Sequence, residues 1–333
     1  MNQLLAFRTR ASNVLALQRH GALIALIALL VFGIVRYGDR FAGENLANLL
    51  ADDAKFALVA LGMTFVIMSG GIDLSVGSVA LLGGVVAAQA SGAGLVPAFG
   101  LAVLVGLALG SLNGVLIAKV RLEPFIVTLA ALLGVRGLAL YLSDKKAVVA
   151  SGTGSFQDFG RWELLGLPVS AVFMFAAFLI GAAVLRYTAF GRTVLAVGGS
   201  EDAARLMGLP VARTKFVVYA MSGALAGLAG AFLAAQTGSV STDTGIGWEL
   251  SAIAAVVVGG TLLTGGVGSV MSTLVGVVLL QLIFNLIVFE NSMGAIEISS
   301  FWESVIRGGF LLLVVLLQVK LSRRRASGGT APA

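Results

Sequence analysis

Nine charged or amide side chains fall inside otherwise apolar stretches: Asp73, Asn113, Arg136, Gln236, Glu249, Gln281, Asn285, Glu303 and Arg307. Such groups are costly inside a bilayer and mark solute paths, proton relays or hydrogen bonds between helices. Glu303 and Arg307 stand four apart on one helical face, the spacing of an ion pair rather than of a relay. Asp73, next to Ser75, is placed to cap the helix that follows. Asn113 suits either an interhelical hydrogen bond or the wall of a path. The path candidates are Asp73, Ser75, Asn113, Gln236, Glu249 and Asn285. Other chemistry lacks raw material. The chain has no Cys and a single histidine, His20, so thiol nucleophiles, thiolate metal sites and histidine triads are excluded. No catalytic residue, metal or cofactor is expected.

The elements that must position these residues are membrane helices. Of 333 residues, 58% are apolar and 11% charged, where soluble domains carry about 25% charge. That excludes an ordinary soluble enzyme, a disordered chain and a nucleic-acid-binding domain. Ten stretches approach the roughly 20 apolar residues that a span requires: 21–37, 54–70, 74–91, 95–119, 124–143, 167–186, 214–237, 247–264, 267–289 and 302–320. The first runs into Val35-Arg36-Tyr37 with no cleavage site for a signal peptide. The Gly-rich turns at 70–77 and 259–268 can break or re-enter, which leaves nine spans open as well. With the N-terminus inside, 14 Lys and Arg fall on the inner connections and 6 on the outer ones. This positive-inside pattern puts both termini in the cytoplasm and the 144–163 loop outside. The expected organisation is a cytoplasmic segment 1–20, a membrane domain 21–320 and a cytoplasmic tail 321–333.

Helices in lipid associate through small residues. Ala102, Gly106, Gly110, Gly114 and Ala118 recur every fourth residue, as do Gly223, Gly227, Ala231 and Ala235, and internal packing is the expected use of both stripes. Neither Gly-rich turn ends in Lys-Ser/Thr, so no phosphate-binding loop is present. The inner loop 187–213 contains a short helix with both ends marked. Ser200 caps it, Glu201 and Asp202 favour its first turn, Arg205 its last, Gly208 terminates it and Pro210 blocks continuation. Two turns are too short to be stable alone. The small residues Ala203 and Ala204 suit a protein groove better than a membrane surface.

Three blocks carry a family resemblance: Gly62-Met63-Thr64-Phe65-Val66-Ile67-Met68-Ser69-Gly70-Gly71-Ile72-Asp73-Leu74-Ser75-Val76-Gly77-Ser78, then Phe190-Gly191-Arg192 through Gly198-Gly199 to Ala203-Ala204-Arg205 and Gly208, and Glu249-Leu250-Ser251 through Gly259-Gly260-Thr261. Together they resemble permease subunits of ribose/xylose/galactofuranose-type ABC importers, with the galactofuranose permeases most similar. The resemblance implies an all-α polytopic inner-membrane protein of about ten helices in the vitamin-importer-like (type II) arrangement. It implies a second permease chain, identical or homologous, a cytoplasmic ATPase, a periplasmic sugar-binding protein and a monosaccharide substrate. Ser200, Glu201, Asp202, Ala203, Ala204, Arg205 and Gly208 then form the coupling segment to the ATPase. The family usually has Asn where Ser200 stands, and Ser preserves capping. The alternative is an ion-coupled secondary transporter, which would need titratable intramembrane acids and has no use for a capped inner helix.

Overall fold

The computed structural model describes residues 21–292 apart from 43, 152 and 153, with isolated positions between 302 and 316. The expected span 302–320, the Glu303–Arg307 pair, His20 and the segments 1–20 and 321–333 lie outside the described residues. The described chain is helical almost throughout. An apolar helix α1 (Gly21–Tyr37) and a short α2 (Asp39–Ala42) lead into α3 (Glu44–Met68). Then follow α4 (Val76–Ala90), α5 (Leu95–Ala118), α6 (Pro124–Leu142), α7 (Ser155–Arg161) and α8 (Val169–Tyr187). Two short helices, α9 (Ala189–Gly199) and α10 (Glu201–Leu206), precede α11 (Val211–Thr237), α12 (Trp248–Val258) and α13 (Val270–Ser292).

Six of these helices are long and apolar enough to cross a bilayer: α4 with its one-turn extension, α5, α6, α8, α11 and α13. The molecule is therefore an all-α polytopic membrane protein. Among the described residues, six such helices stand where nine of the expected ten spans would fall. α1 and α12 are apolar but shorter, and α3 carries Asp52, Asp53 and Lys55 beside its apolar run. The stretch 247–264 is not one span, because α12 ends after 11 residues at Val258. Gly259 and Gly260, the latter at φ +90°, end it. A hydropathy window averages across such a break.

α3 is the hub. From Ala57 to Met68 its side chains are buried on every side of the helix, against α11, α8, α13 and α12. A helix apolar all round belongs in the middle of a bundle. Beside it, the two small-residue stripes serve the expected internal packing, and they do so against each other. A methyl on Gly106 would meet the main chain of Gly223 and Gly227, and one on Gly110 would lie 3.0 Å from Gly223 Cα. Backbones meet here with nothing between them.

One end of the bundle carries α9 and α10. The other carries four two-residue strands. β1 (Val148–Val149) pairs antiparallel with β4 (Ser239–Val240), and β2 (Glu163–Leu164) pairs with β3 (Leu167–Pro168). There α7 packs Phe156 and Phe159 onto Phe99, which lies 4.9 Å from Phe232 between ring centroids.

Candidate functional site

The capped segment forms as its local sequence requires. Ser200 Oγ accepts from the Ala203 amide at 3.3 Å, and Gly208 stops the helix at φ +74°. Glu201 Oε1 accepts from Arg205 Nη2 at 2.7 Å, and its Oε2 accepts from Lys215 Nζ on α11. One carboxylate thus ties α10 to itself and to the next long helix. Ala204 is fully buried against Val197, Leu209 and Val211 of its own chain. Asp202 and Ala203 face outward instead, together with Leu206, 90% exposed, and Met207, 67% exposed. The apolar pair at the tip is not singled out by the sequence, which marks the small and charged residues Glu201, Ala203, Ala204 and Arg205 instead. A cleft of about 360 Å³ separates α10 from the α5–α6 turn and is lined by Arg121, Glu123, Glu201, Arg205 and Lys215.

The root of this loop touches both Gly-rich breaks. The Gly266 amide donates to the Met68 carbonyl at 3.0 Å. A methyl on Gly198 would strike that carbonyl and lie 2.6 Å from Gly266 N, and one on Gly265 would lie 2.9 Å from Gly70. Three main-chain turns, 68–71, 198–199 and 265–266, therefore meet in one junction beneath the bundle.

Asp73 follows the first break and is fully buried. Its Oδ1 accepts from the amide and hydroxyl of Ser75 at 3.0 and 2.6 Å, and its Oδ2 accepts from Ser222 Oγ of α11 at 2.9 Å. Asn113 Nδ2 of α5 donates to Ser75 Oγ at 3.0 Å. Asp73, Ser75 and Asn113 are thus brought together, but as a tie between α4, α5 and α11. Ser75 is the residue before α4, and the Asp73 carboxylate takes its amide rather than one within the helix. Asn113 makes the interhelical bond. Ser222 was missed by sequence because it lies 149 residues from Asp73.

The remaining path candidates are spread out. Asn285 is half-buried on α13. Gln236 lies in the last turn of α11 with its side-chain oxygen buried and unpartnered, while Arg161 Nε donates to its main-chain carbonyl at 3.3 Å. Glu249 sits in the first turn of α12, and its Oε2 lies 2.9 Å from where a Gly77 methyl would stand. Close by, Arg136 of α6 donates to the carbonyls of Thr242 at 2.8 Å and Thr244 at 3.5 Å. Arg136 thus spends its hydrogen bonds on main-chain carbonyls. Among the described residues no group of three His, Cys, Asp or Glu is placed to hold a metal ion.

This chain has relatives among known proteins. A family described as the permease component of a branched-chain amino acid transport system matches residues 45–315. The chain belongs to that permease family. It is a permease component and not an enzyme. The ribose import permease protein RbsC of Bacillus subtilis (strain 168) is 40% identical over 311 residues, covering 92% of this chain and 94% of the relative. The L-arabinose ABC transporter permease protein AraH of Azospirillum brasilense is 37% identical over 322 residues, 96% and 93% of the two chains. The fructose import permease protein FruG of Bifidobacterium longum (strain NCC 2705) is 33% identical over 309 residues, 89% of each. No solved structure matches significantly.

Proposed function

We propose that this permease serves an ABC importer for a monosaccharide. Two permease chains in the type II arrangement form the path, a cytoplasmic ATPase drives it and a sugar-binding protein delivers the substrate from outside. The α9–α10 end faces the cytoplasm, as do both termini. The reading is carried by one observation: the exposed Leu206–Met207 tip stands on a helix locked by Glu201, over a junction that touches both helix breaks. A partner that grips the tip moves the junction, and ATP-driven closure of that partner then biases the gate between its two states. Ser200, Glu201, Asp202, Ala203, Ala204, Arg205 and Gly208 build and hold the coupling segment, with Ala204 as its internal packing. Glu249 and Gln236 are the path candidates whose placement leaves them available to a solute, and Asn285 on α13 is a further path candidate. Asp73, Ser75 and Asn113 hold the path's frame.

The relatives named for ribose, L-arabinose and fructose support a monosaccharide. The test is reconstitution with the ATPase and binding protein. Uptake is expected only with ATP, and a competition panel of ribose, arabinose, fructose and galactofuranose identifies the sugar. Uptake by this chain alone on an ion gradient would replace the reading with that of a secondary transporter.

A further inference from the structure

The connection from α11 to α12 does not pass over the end of the bundle. Val240 packs on Gly84 of α4, and Gly245 packs on Gly77. The chain therefore runs back along α4 by seven residues, about 10 Å. Ser78, next to Gly77, donates to the Leu132 carbonyl at 2.8 Å. Leu132 lies near the middle of α6, about 12 Å from Pro124. α12 accordingly starts at mid-depth in the membrane, and residues 241–247 before it are non-helical main chain inside the hydrocarbon layer.

Main chain of that kind survives in a bilayer only where protein buries it or water reaches it. Arg136 supplies part of the burial, since its fork takes two carbonyls of the segment. Amides of Thr244, Ile246 and Trp248 are spent on Ser241, Asp243 and Gly245 carbonyls at 3.2, 3.2 and 3.3 Å. The side chains are another matter. Ser241 and Asp243 are exposed and Glu249 is half-buried. Neither acid makes an ion pair with Arg136 among the described residues. The Asp243 carboxylate accepts a hydrogen bond from the hydroxyl of its neighbour Ser241. Flanking Arg136, Gly134 and Gly137 have open space where side chains would stand. An exposed carboxylate and hydroxyl at this depth cannot face lipid, so water reaches them.

We propose that residues 241–247, held open by Arg136, form the station within the membrane where a polyhydroxylated monosaccharide exchanges water for protein contacts. The inference rests on the importer reading for the identity of the solute. Sugar hydroxyls both donate and accept. Asp243 and Glu249 offer acceptors, while Ser241 and the threonine hydroxyls offer both. Arg136 is a positioning residue here, because its bonds go to the segment's carbonyls. Short polar contacts without an enclosing pocket suit a solute that must leave as readily as it arrives.

The absence of cysteine makes the test direct. Ser241→Cys and Asp243→Cys are introduced singly, with Ile180→Cys on the exposed apolar face of α8 as control. Opened membrane vesicles are treated with a small charged methanethiosulfonate. Modification at 241 and 243 is expected to be at least tenfold faster than at 180, and to slow severalfold in excess ribose or in the sugar identified by uptake. Adding Arg136→Met to Ser241→Cys is expected to change the rate at least tenfold, with Arg136→Lys intermediate. Rates at 241 and 243 no faster than at 180 would overturn the water-filled station. Fast labelling without sugar protection would overturn the sugar contact, and rates unmoved by Arg136→Met would overturn its positioning role. Labelling needs neither ATPase nor transport, so a failure of the importer reading shows separately, as absent uptake.

Discussion

Leu206 and Met207 are large apolar side chains left in the open at the tip of a polar loop. Leu206→Asp is expected to leave membrane insertion intact and to abolish co-purification with the ATPase, because the change lies outside every intrachain contact of the loop's core. Retained co-purification would remove the tip from the docking surface. Ala204 behaves differently. Inserting a large side chain between Val197 and Val211 overpacks a small core, typically at about 1–3 kcal/mol, so Ala204→Trp is expected to lower both loop order and transport. A second expectation concerns Asp73. Removing one hydrogen-bonded partner leaves the others buried and unsatisfied at about 1–3 kcal/mol each. Asp73→Ala should therefore lower the thermal midpoint in detergent more than Ser222→Ala does, since it strands three donors rather than one acceptor. Local signals such as the Ser200 cap and the Gly208 stop were legible in the sequence, because donor and acceptor lie within a few residues. The Asp73–Ser222 bond and the Glu201–Lys215 tie were not, because folding alone sets those neighbours.

At the scale of elements, the glycine stripes of α5 and α11 were legible as packing surfaces, and their mutual contact follows from their matching four-residue period. The distinction within α5 is sharper than the stripe suggests. Gly100 has open space beside it, whereas Gly106 abuts the Gly223 carbonyl. Gly100→Ala is expected to be neutral or to stabilise by up to about 1 kcal/mol through helix propensity. Gly106→Ala is expected to lower the thermal midpoint by several degrees, as neither main chain can yield. Equal midpoints would refute the close approach. The broken helices were legible only as Gly-rich interruptions. That the chain before α12 folds back along α4 was hidden, because 238–247 reads by composition as an ordinary loop between spans. Its position comes from Gly77 and Gly84 of α4, more than 150 residues earlier in the chain.

For the whole molecule, the membrane class and the family were legible from composition and three short blocks, whereas the count of spans was not. Hydropathy registers apolar length, and α1, α3 and α12 each depart from the simple span in length or charge. Orientation has a direct check: reporter fusions at Ala333 are expected to be active in the cytoplasm and at Ser155 in the periplasm, and the reverse would invert the molecule. The glycine junction beneath the bundle carries a different kind of consequence, for how the protein can change over time. Where a side chain crowds a side chain, a second substitution can restore room. At Gly198 the obstacle is the carbonyl of Met68 and the amide of Gly266, and main chain is the same whatever residue bears it. No single replacement elsewhere can compensate a methyl at Gly198, so a suppressor screen on Gly198→Ala should return reversions almost exclusively.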